Sequence, residues 1–155
     1  MAGLPSDPLR LEHQLCFPLY AASRLVTRLY QPLLEPLGLT YPQYIVLLIL
    51  WEDAPCTVSH VGRRALLNSN TLTPLLKRLE QLGYLRRQRS SADERRVELF
   101  LTPEGQDLRA HCRDIPERLF TRTAYPLDKA TALKGHLDGL VAHLQSLPVA
   151  AEGDL

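Results

Sequence analysis

No stretch of this chain is apolar for long enough to cross a membrane. The longest unbroken apolar run, Tyr44 to Trp51, falls far short of the roughly 18 residues that a span needs. A basic, then apolar, then small-residue leader is missing at Met1 as well, so a cytoplasmic protein without a membrane partner is expected. Cysteine is scarce and unpaired. Cys16, Cys56 and Cys112 are an odd number, widely spaced, with no Cys-x-x-Cys, which argues against a disulfide scaffold and against structural zinc. Among the histidines only His13-x-x-Cys16 approaches ligand spacing on a helix, and no third or fourth ligand is evident. Neither a metal nor a cofactor is expected. A charge excess is also lacking, because the formal net charge is only +1.

That small sum conceals a separation. From Thr57 to Val97 there are nine Lys/Arg against three Asp/Glu, a net +6, while the remainder holds nine against fourteen, a net −5. Cations gathered on one third of a chain suit contact with nucleic acid. The same third carries the matching pattern. Leu72, Leu75, Leu76, Leu79 and Leu82 recur as one buried helical stripe, leaving Asn70, Thr71, Thr73, Lys77 and Arg78 facing outward. Small hydrogen-bonding side chains followed by cations suit a helix that enters a DNA groove. After Gly83, the runs Tyr84 to Arg89 and Arg96 to Leu101 read as extended, around the turn Ser90-Ser91-Ala92-Asp93-Glu94-Arg95. A helix followed by a two-stranded ribbon with an arginine at its tip predicts a winged helix-turn-helix, and a fold that is mostly α with a small β-wing.

Pro74 sets up a local conflict. Proline favours a helix's first turn, which would start this helix at Thr73, whereas the leucine stripe and the cap candidates Asn68 and Ser69 start it earlier. The stripe is the stronger signal, at the cost of one backbone bond. Upstream, Met1 to Pro8 reads as a loose tail. A helix is expected from Leu11, with Leu15, Leu19, Ala22, Val26, Leu29 and Leu33 forming a narrow seam of the kind that wants another helix. Pro18 is unexpected in its interior, and Pro32, Pro36 and Gly38 close it. Thr40 caps the next helix, in which Tyr44 to Trp51 is too apolar all round for a surface. Thr57 to Arg64 reads as a short helix with Val58 and Val61 inward. Thr102 and Pro103 start a long helix that Pro126 interrupts, and Leu133, Leu137, Leu140, Val141, Leu144 and Leu147 give a last stripe. The expected organisation is a single domain over 1–155, with dimerisation helices at 9–37 and 103–147 and the winged helix-turn-helix at 57–101. A homodimer built on the terminal helices suits a two-fold symmetric, palindromic operator in double-stranded DNA.

Taken together, the chain resembles the MarR family of bacterial winged-helix repressors, and within it the OhrR-like group that senses organic hydroperoxides. The residues carrying the resemblance are Leu11-Glu12-His13-Gln14-Leu15-Cys16-Phe17, Leu29-Tyr30-Gln31-Pro32-Leu33-Leu34, Leu39-Thr40-Tyr41-Pro42-Gln43-Tyr44, Thr71 through Glu80, and Asp93-Glu94-Arg95. The resemblance implies that Cys16 is the peroxide-sensing thiol and that Tyr30 and Tyr41 hydrogen-bond it, across subunits. The chemistry is coherent on its own terms: an ordinary thiol, with a pKa of about 8.5, is mostly protonated at neutral pH, and the thiolate is the nucleophile. Oxidation to sulfenic acid, then to a disulfide or beyond, replaces a bare anion with a larger group and breaks the network that holds the DNA-competent dimer. A second cysteine serves as resolving partner in some relatives. Here that role falls to Cys112 or to a low-molecular-weight thiol.

For DNA, resemblance and residue reading agree. Ser69, Thr71 and Thr73 face base edges and phosphates, with Arg78 on the backbone. Arg95 enters the minor groove from the wing tip with Asp93 orienting it, and Arg87 takes a flanking phosphate. Asn68 and Asn70 stand where relatives commonly have Asp and Gly. The leading expectation is a non-enzymatic redox-sensing repressor released by organic hydroperoxides. Its rivals are a repressor released by a small aromatic ligand in the dimer cleft, a thiol peroxidase with catalytic turnover, and a winged helix used for protein contact.

Overall fold

The computed structural model describes residues 7–90, 93 and 96–148, in two compact units that divide after Ile115. The first begins with a single 3-10 turn, Leu11–His13, where a continuous helix is expected. Gln14 turns its amide back onto the carbonyls of Pro8 and Arg10, so helix α1 (Cys16–Leu34) starts only at Cys16. That start accounts for Pro18. It occupies the third helical position, whose N–H would have no partner inside the helix. Pro32 does not close α1 but sits inside its last turn. A 3-10 turn, Glu35–Leu37, containing Pro36 follows, and Gly38 ends it at φ +67°.

Helix α2 (Tyr41–Asp53) begins as expected at Thr40, whose N–H donates to Gln43 Oε1 at 2.8 Å. Val46, Leu47 and Leu50 are fully buried, although Leu48 is 40% exposed, so one edge of this helix does reach the surface. The helix-turn-helix follows as α3 (Val58–Ala65) and α4 (Ser69–Gln81). Each has its cap: Thr57 Oγ1 accepts from His60 N–H at 3.2 Å, and Asn68 Oδ1 accepts from Thr71 N–H at 2.9 Å. The stripe outweighs Pro74, which lies within α4. Leu72, Leu76 and Leu79 are buried, and Leu75 and Leu82 are half-buried.

The wing has three strands rather than two. Strands β2 (Leu85–Arg89) and β3 (Val97–Leu101) pair antiparallel from Leu85↔Leu101 to Arg89↔Val97. Ahead of α3, β1 (Cys56–Thr57) pairs with the other edge of β3 through Cys56↔Leu99. Two residues are too few to show the alternation by which strands are recognised in a sequence. Helix α5 (Pro103–His111) is capped by Thr102, whose Oγ1 accepts from Gly105 N–H at 3.0 Å. The long helix expected beyond it is broken at residues 112–114 before α6 (Ile115–Thr123). Pro116 lacks the N–H that would bond the Cys112 carbonyl in a continuous helix. The core of this unit is Leu34, Val46, Leu47, Leu50, Val61, Leu72, Leu76, Leu79, Leu85, Leu99 and Ile115.

The second unit consists of the rest of α6 and of α7 (Leu127–Ser146). No described residue of α7 is buried in the single chain. Its stripe of Leu133, Leu137, Val141 and Leu144 stays open, as does the first half of the α1 seam at Leu15, Leu19 and Val26.

Candidate functional site

Two regions hold the residues singled out by sequence. The first is the outer face of α4 and the base of the wing. Ser69, Thr71, Thr73, Lys77 and Arg78 are exposed there, because the buried leucine stripe turns them outward. The Thr73 hydroxyl donates to the Ser69 carbonyl at 2.7 Å, which leaves its lone pairs outward as acceptors.

Arg87 is already engaged inside the chain. Its Nη2 and Nε lie 2.6 and 2.8 Å from Glu80 Oε2, and its backbone N–H donates to Oε1 at 3.0 Å. The arginine pulls the Glu80 carboxyl below its ordinary range, chiefly by that hydrogen bond. Arg87 therefore fastens β2 to the recognition helix, a role the sequence did not suggest. Asp93 approaches Arg96, with Nε to Oδ2 at 3.4 Å, while Arg95 lies outside the described residues.

Between α3, α4 and the wing runs a groove of about 590 Å³ whose walls include Ser59, Arg63, Thr73, Arg87 and Arg96. Ser59 and Arg63 were absent from the sequence-derived list. Their signal was present, since both lie within the +6 segment and away from the inward Val58 and Val61, but a short helix gave little reason to rank its outward side chains. On an adjoining side of α3, Asp53 of α2 receives His60 Nε2 at 2.6 Å and Arg64 Nη1 at 2.7 Å. Arg64 also reaches Glu52 at 2.8 Å. These contacts join the end of α2 to the first helix of the motif, and the bond from His60 is the largest cause of the lowered Asp53 pKa.

The second region is α1 with the start of α2. Cys16 is exposed at the first position of α1. Tyr30 lies near the far end of the same helix, where its ring packs against Tyr41, tilted by 41° with centroids 4.6 Å apart, and meets Tyr44 at 5.9 Å. Fourteen residues of helix separate Cys16 from Tyr30, about 21 Å of axial rise. The structure thus brings the two tyrosines together and holds the thiol of the same chain away from them. Burial raises the Tyr30 pKa, with a smaller push from Tyr41, and burial raises that of Tyr41. Both phenols keep their protons at neutral pH and act as donors.

Cys112 is buried at the end of α5. Burial first, then the charge of Asp114, pushes its thiol up to about 11, and a protonated, enclosed thiol is a poor nucleophile. Cys56 is half-buried on β1 and also raised, mainly by burial. Among the described residues no group of three His, Cys, Asp or Glu is placed to hold a metal, and no single helix is long and apolar enough to cross a membrane.

Comparison with known proteins places these features in a family. The transcriptional regulator family SarA/Rot matches residues 28–111. The organic hydroperoxide resistance transcriptional regulator of Bacillus subtilis is 52% identical over 110 residues, spanning 71% of this chain and 75% of that protein. The HTH-type transcriptional regulator TtmR of Methylorubrum extorquens is 47% identical over 131 residues, or 84% of this chain and 67% of that one. Reduced AbfR bound to DNA superposes with a TM-score of 0.73 at 39% identity, covering 89% of this chain and 96% of the other.

Proposed function

This chain is a winged-helix transcriptional regulator of the SarA/Rot family, a MarR-like group, and we propose that it acts as a homodimeric DNA-bound repressor that leaves its operator when organic hydroperoxides oxidise Cys16. The observation that carries the reading is the placement of thiol and phenols. Cys16 stands exposed at one end of α1, and the Tyr30–Tyr41 pair is held at the other. A second copy running antiparallel brings each sulfur to the partner's phenols, and covers the open stripes of α1 and α7 in doing so. Each phenol then donates to a thiolate it meets only in the dimer. The similarity to a hydroperoxide-resistance regulator supports the choice of oxidant.

In the sensing step, the thiolate attacks the outer peroxide oxygen. The S–O bond forms as the O–O bond breaks, sulfur is oxidised by two electrons, and the alkoxide takes a proton and leaves as the alcohol. The sulfenic acid no longer matches two phenolic donors that were aimed at a bare anion. A hundredfold loss of specific DNA affinity requires only about 2.7 kcal/mol of coupling between the two sites. Because Cys112 is enclosed, a low-molecular-weight thiol is the partner we assign to the oxidised sulfur. On DNA, Ser69, Thr71 and Thr73 meet the major groove, Arg78 and Arg63 the phosphates, and the wing presents Arg96; the minor-groove role read for Arg95 falls outside the described residues. The regulator works in the cytoplasm, where its operator is.

The test is a DNA-binding titration with and without cumene hydroperoxide. Peroxide is expected to release the wild type and not Cys16→Ser. Equal release of both proteins would reject the mechanism while leaving a DNA-binding regulator.

A further inference from the structure

Two asparagines flank Ser69 at the start of α4, and they are not equivalent. Asn68 is committed to the helix, since its Oδ1 accepts from Thr71 N–H at 2.9 Å. Asn70 is exposed, and its side-chain amide makes no hydrogen bond among the described residues. Its place on the helix matters as well. Leu72, Leu76 and Leu79 are buried, which fixes the inward direction of α4. At about 100° per residue, Asn70 lies about 150° from the middle of that stripe. Pro74, Lys77 and Gln81, all exposed, continue the same ridge at the i+4, i+7 and i+11 positions. Thr71 and Thr73 lie on its two flanks, about 100° from the stripe. Asn70 is therefore the first side chain of the ridge that faces directly away from the core.

A recognition helix contacts base edges with its N-terminal residues, and a side chain as short as asparagine reaches them only from the ridge that enters deepest. The hydroxyls beside Asn70 discriminate weakly, because a hydroxyl donates or accepts and suits several bases. Thr73 already gives its proton to the Ser69 carbonyl at 2.7 Å. A carboxamide presents a fixed acceptor beside a fixed donor, and the major-groove edge of adenine presents the N6 amino donor beside the N7 acceptor. Guanine offers two acceptors there, cytosine a donor alone and thymine an acceptor beside a methyl group. Only adenine satisfies both ends of the amide.

We propose that Asn70 is a specificity-determining residue of the DNA interface, selecting one adenine in each half-site by accepting from the N6 amino group with Oδ1 and donating from Nδ2 to N7. The inference rests on the reading of α4 as the helix that enters the operator. It is independent of how the protein senses its signal. In a two-fold symmetric complex the contact occurs twice, on opposite strands of the two half-sites. Pro74, next along the ridge, has no N–H and no polar side-chain atom, so it does not compete for that base edge.

The experiment uses the full chain, reduced and without peroxide, to select binding sites from a library of random-sequence duplexes. Each protein's affinity for a selected duplex is divided by its affinity for an unrelated one, so that a general loss of folding or of phosphate contact cancels. The wild type is expected to favour adenine at one symmetric pair of positions by about tenfold or more. Asn70→Ala loses the preference at that pair and keeps the rest of the consensus. Replacing the selected adenine by 7-deazaadenine, which lacks the N7 acceptor, weakens the wild type and leaves Asn70→Ala unmoved. The assignment is overturned if Asn70→Ala selects the wild-type consensus, if the preference it loses is for another base, or if 7-deazaadenine weakens both proteins alike. A wild type that selects no sequence would refute sequence-specific binding and the assignment with it, with the oxidation of Cys16 still to be judged by its own test.

Discussion

Mixed dimers provide the sharpest test of the arrangement between subunits. Cys16 and Tyr30 share one continuous helix and stand about 21 Å apart along its axis, several times the 3–3.5 Å of a hydrogen bond to sulfur. Two inactive variants, Cys16→Ser and the double Tyr30→Phe/Tyr41→Phe, are therefore expected to complement each other. In a heterodimer of the two, the phenols of the first subunit face the thiol of the second, which rebuilds one intact site and leaves the other doubly broken. A hydrogen bond to a charged group contributes about 1.5–3 kcal/mol. Its loss in a Tyr30→Phe homodimer slows oxidation by about tenfold to a hundredfold. With tagged subunits purified as the heterodimer, stopped-flow oxidation should then show half the wild-type amplitude at the wild-type rate. If each subunit instead assembled its own site, the heterodimer would contain no intact pair, and the fast phase would be missing. That result would refute the arrangement.

Three further outcomes follow from the same structure. Gly105→Ala places a Cβ 2.0 Å from the Tyr84 carbonyl oxygen, a backbone clash expected to cost about 3 kcal/mol or more. It also disturbs the 2.8 Å bond from Trp51 Nε1 to the Gly105 carbonyl, so urea unfolding followed by the single tryptophan reads both effects, and an unchanged midpoint would contradict the packing. Asp53 is held below its ordinary value of 3.8 by His60 first and Arg64 second. A depressed acid stabilises the fold above its unfolded pKa and loses that contribution as pH falls through the folded one. The gap in melting temperature between wild type and Asp53→Asn should be full at pH 7 and close below about pH 4, and a gap constant down to pH 2 would disprove the clasp. Finally, iodoacetamide at pH 8 should alkylate exposed Cys16 well before buried Cys112, and Cys112→Ala should retain peroxide-dependent release; equal labelling rates would show that Cys112 is not enclosed.

Much of this was legible in the chain because the signals were periodic or chemical. The leucine stripe placed α4 correctly in spite of Pro74, since burying three leucines outweighs one missing backbone bond. Thr40, Asn68 and Thr102 each sit at a helix start, where a side-chain oxygen satisfies an orphan N–H. What stayed hidden depends on long-range contact. The Cys56–Thr57 strand exists because β3 offers it an edge, and no local pattern announces two residues. The Glu80–Arg87 pair joins a helix to a strand across the Gly83 turn, so the arginine read from sequence as a phosphate ligand also holds the wing. The late start of α1 depended on a side chain folding back, which moved Pro18 from an apparent helix-breaking position to a tolerated one.

The same contacts suggest how a change at the sulfur reaches the DNA face. Helix α2 carries Tyr41 at its first residue and the Glu52 and Asp53 clasp at its last, about 18 Å away along the axis. Between them Val46, Leu47 and Leu50 are buried, and a close-packed interior passes strain on rather than absorbing it. We propose that a displacement at Tyr41 reaches His60 and Arg64 on α3, which lies beside the recognition helix, and that Glu80 with Arg87 carries it on to the wing. Cutting the clasp without touching the sensor separates the two halves of that path. Asp53→Asn combined with Glu52→Gln should leave Cys16 oxidation at its wild-type rate and reduce the peroxide-induced change in operator affinity. A double variant in which oxidation still releases DNA in full would mean that the signal travels by another route, most directly through a change in the spacing of the two subunits.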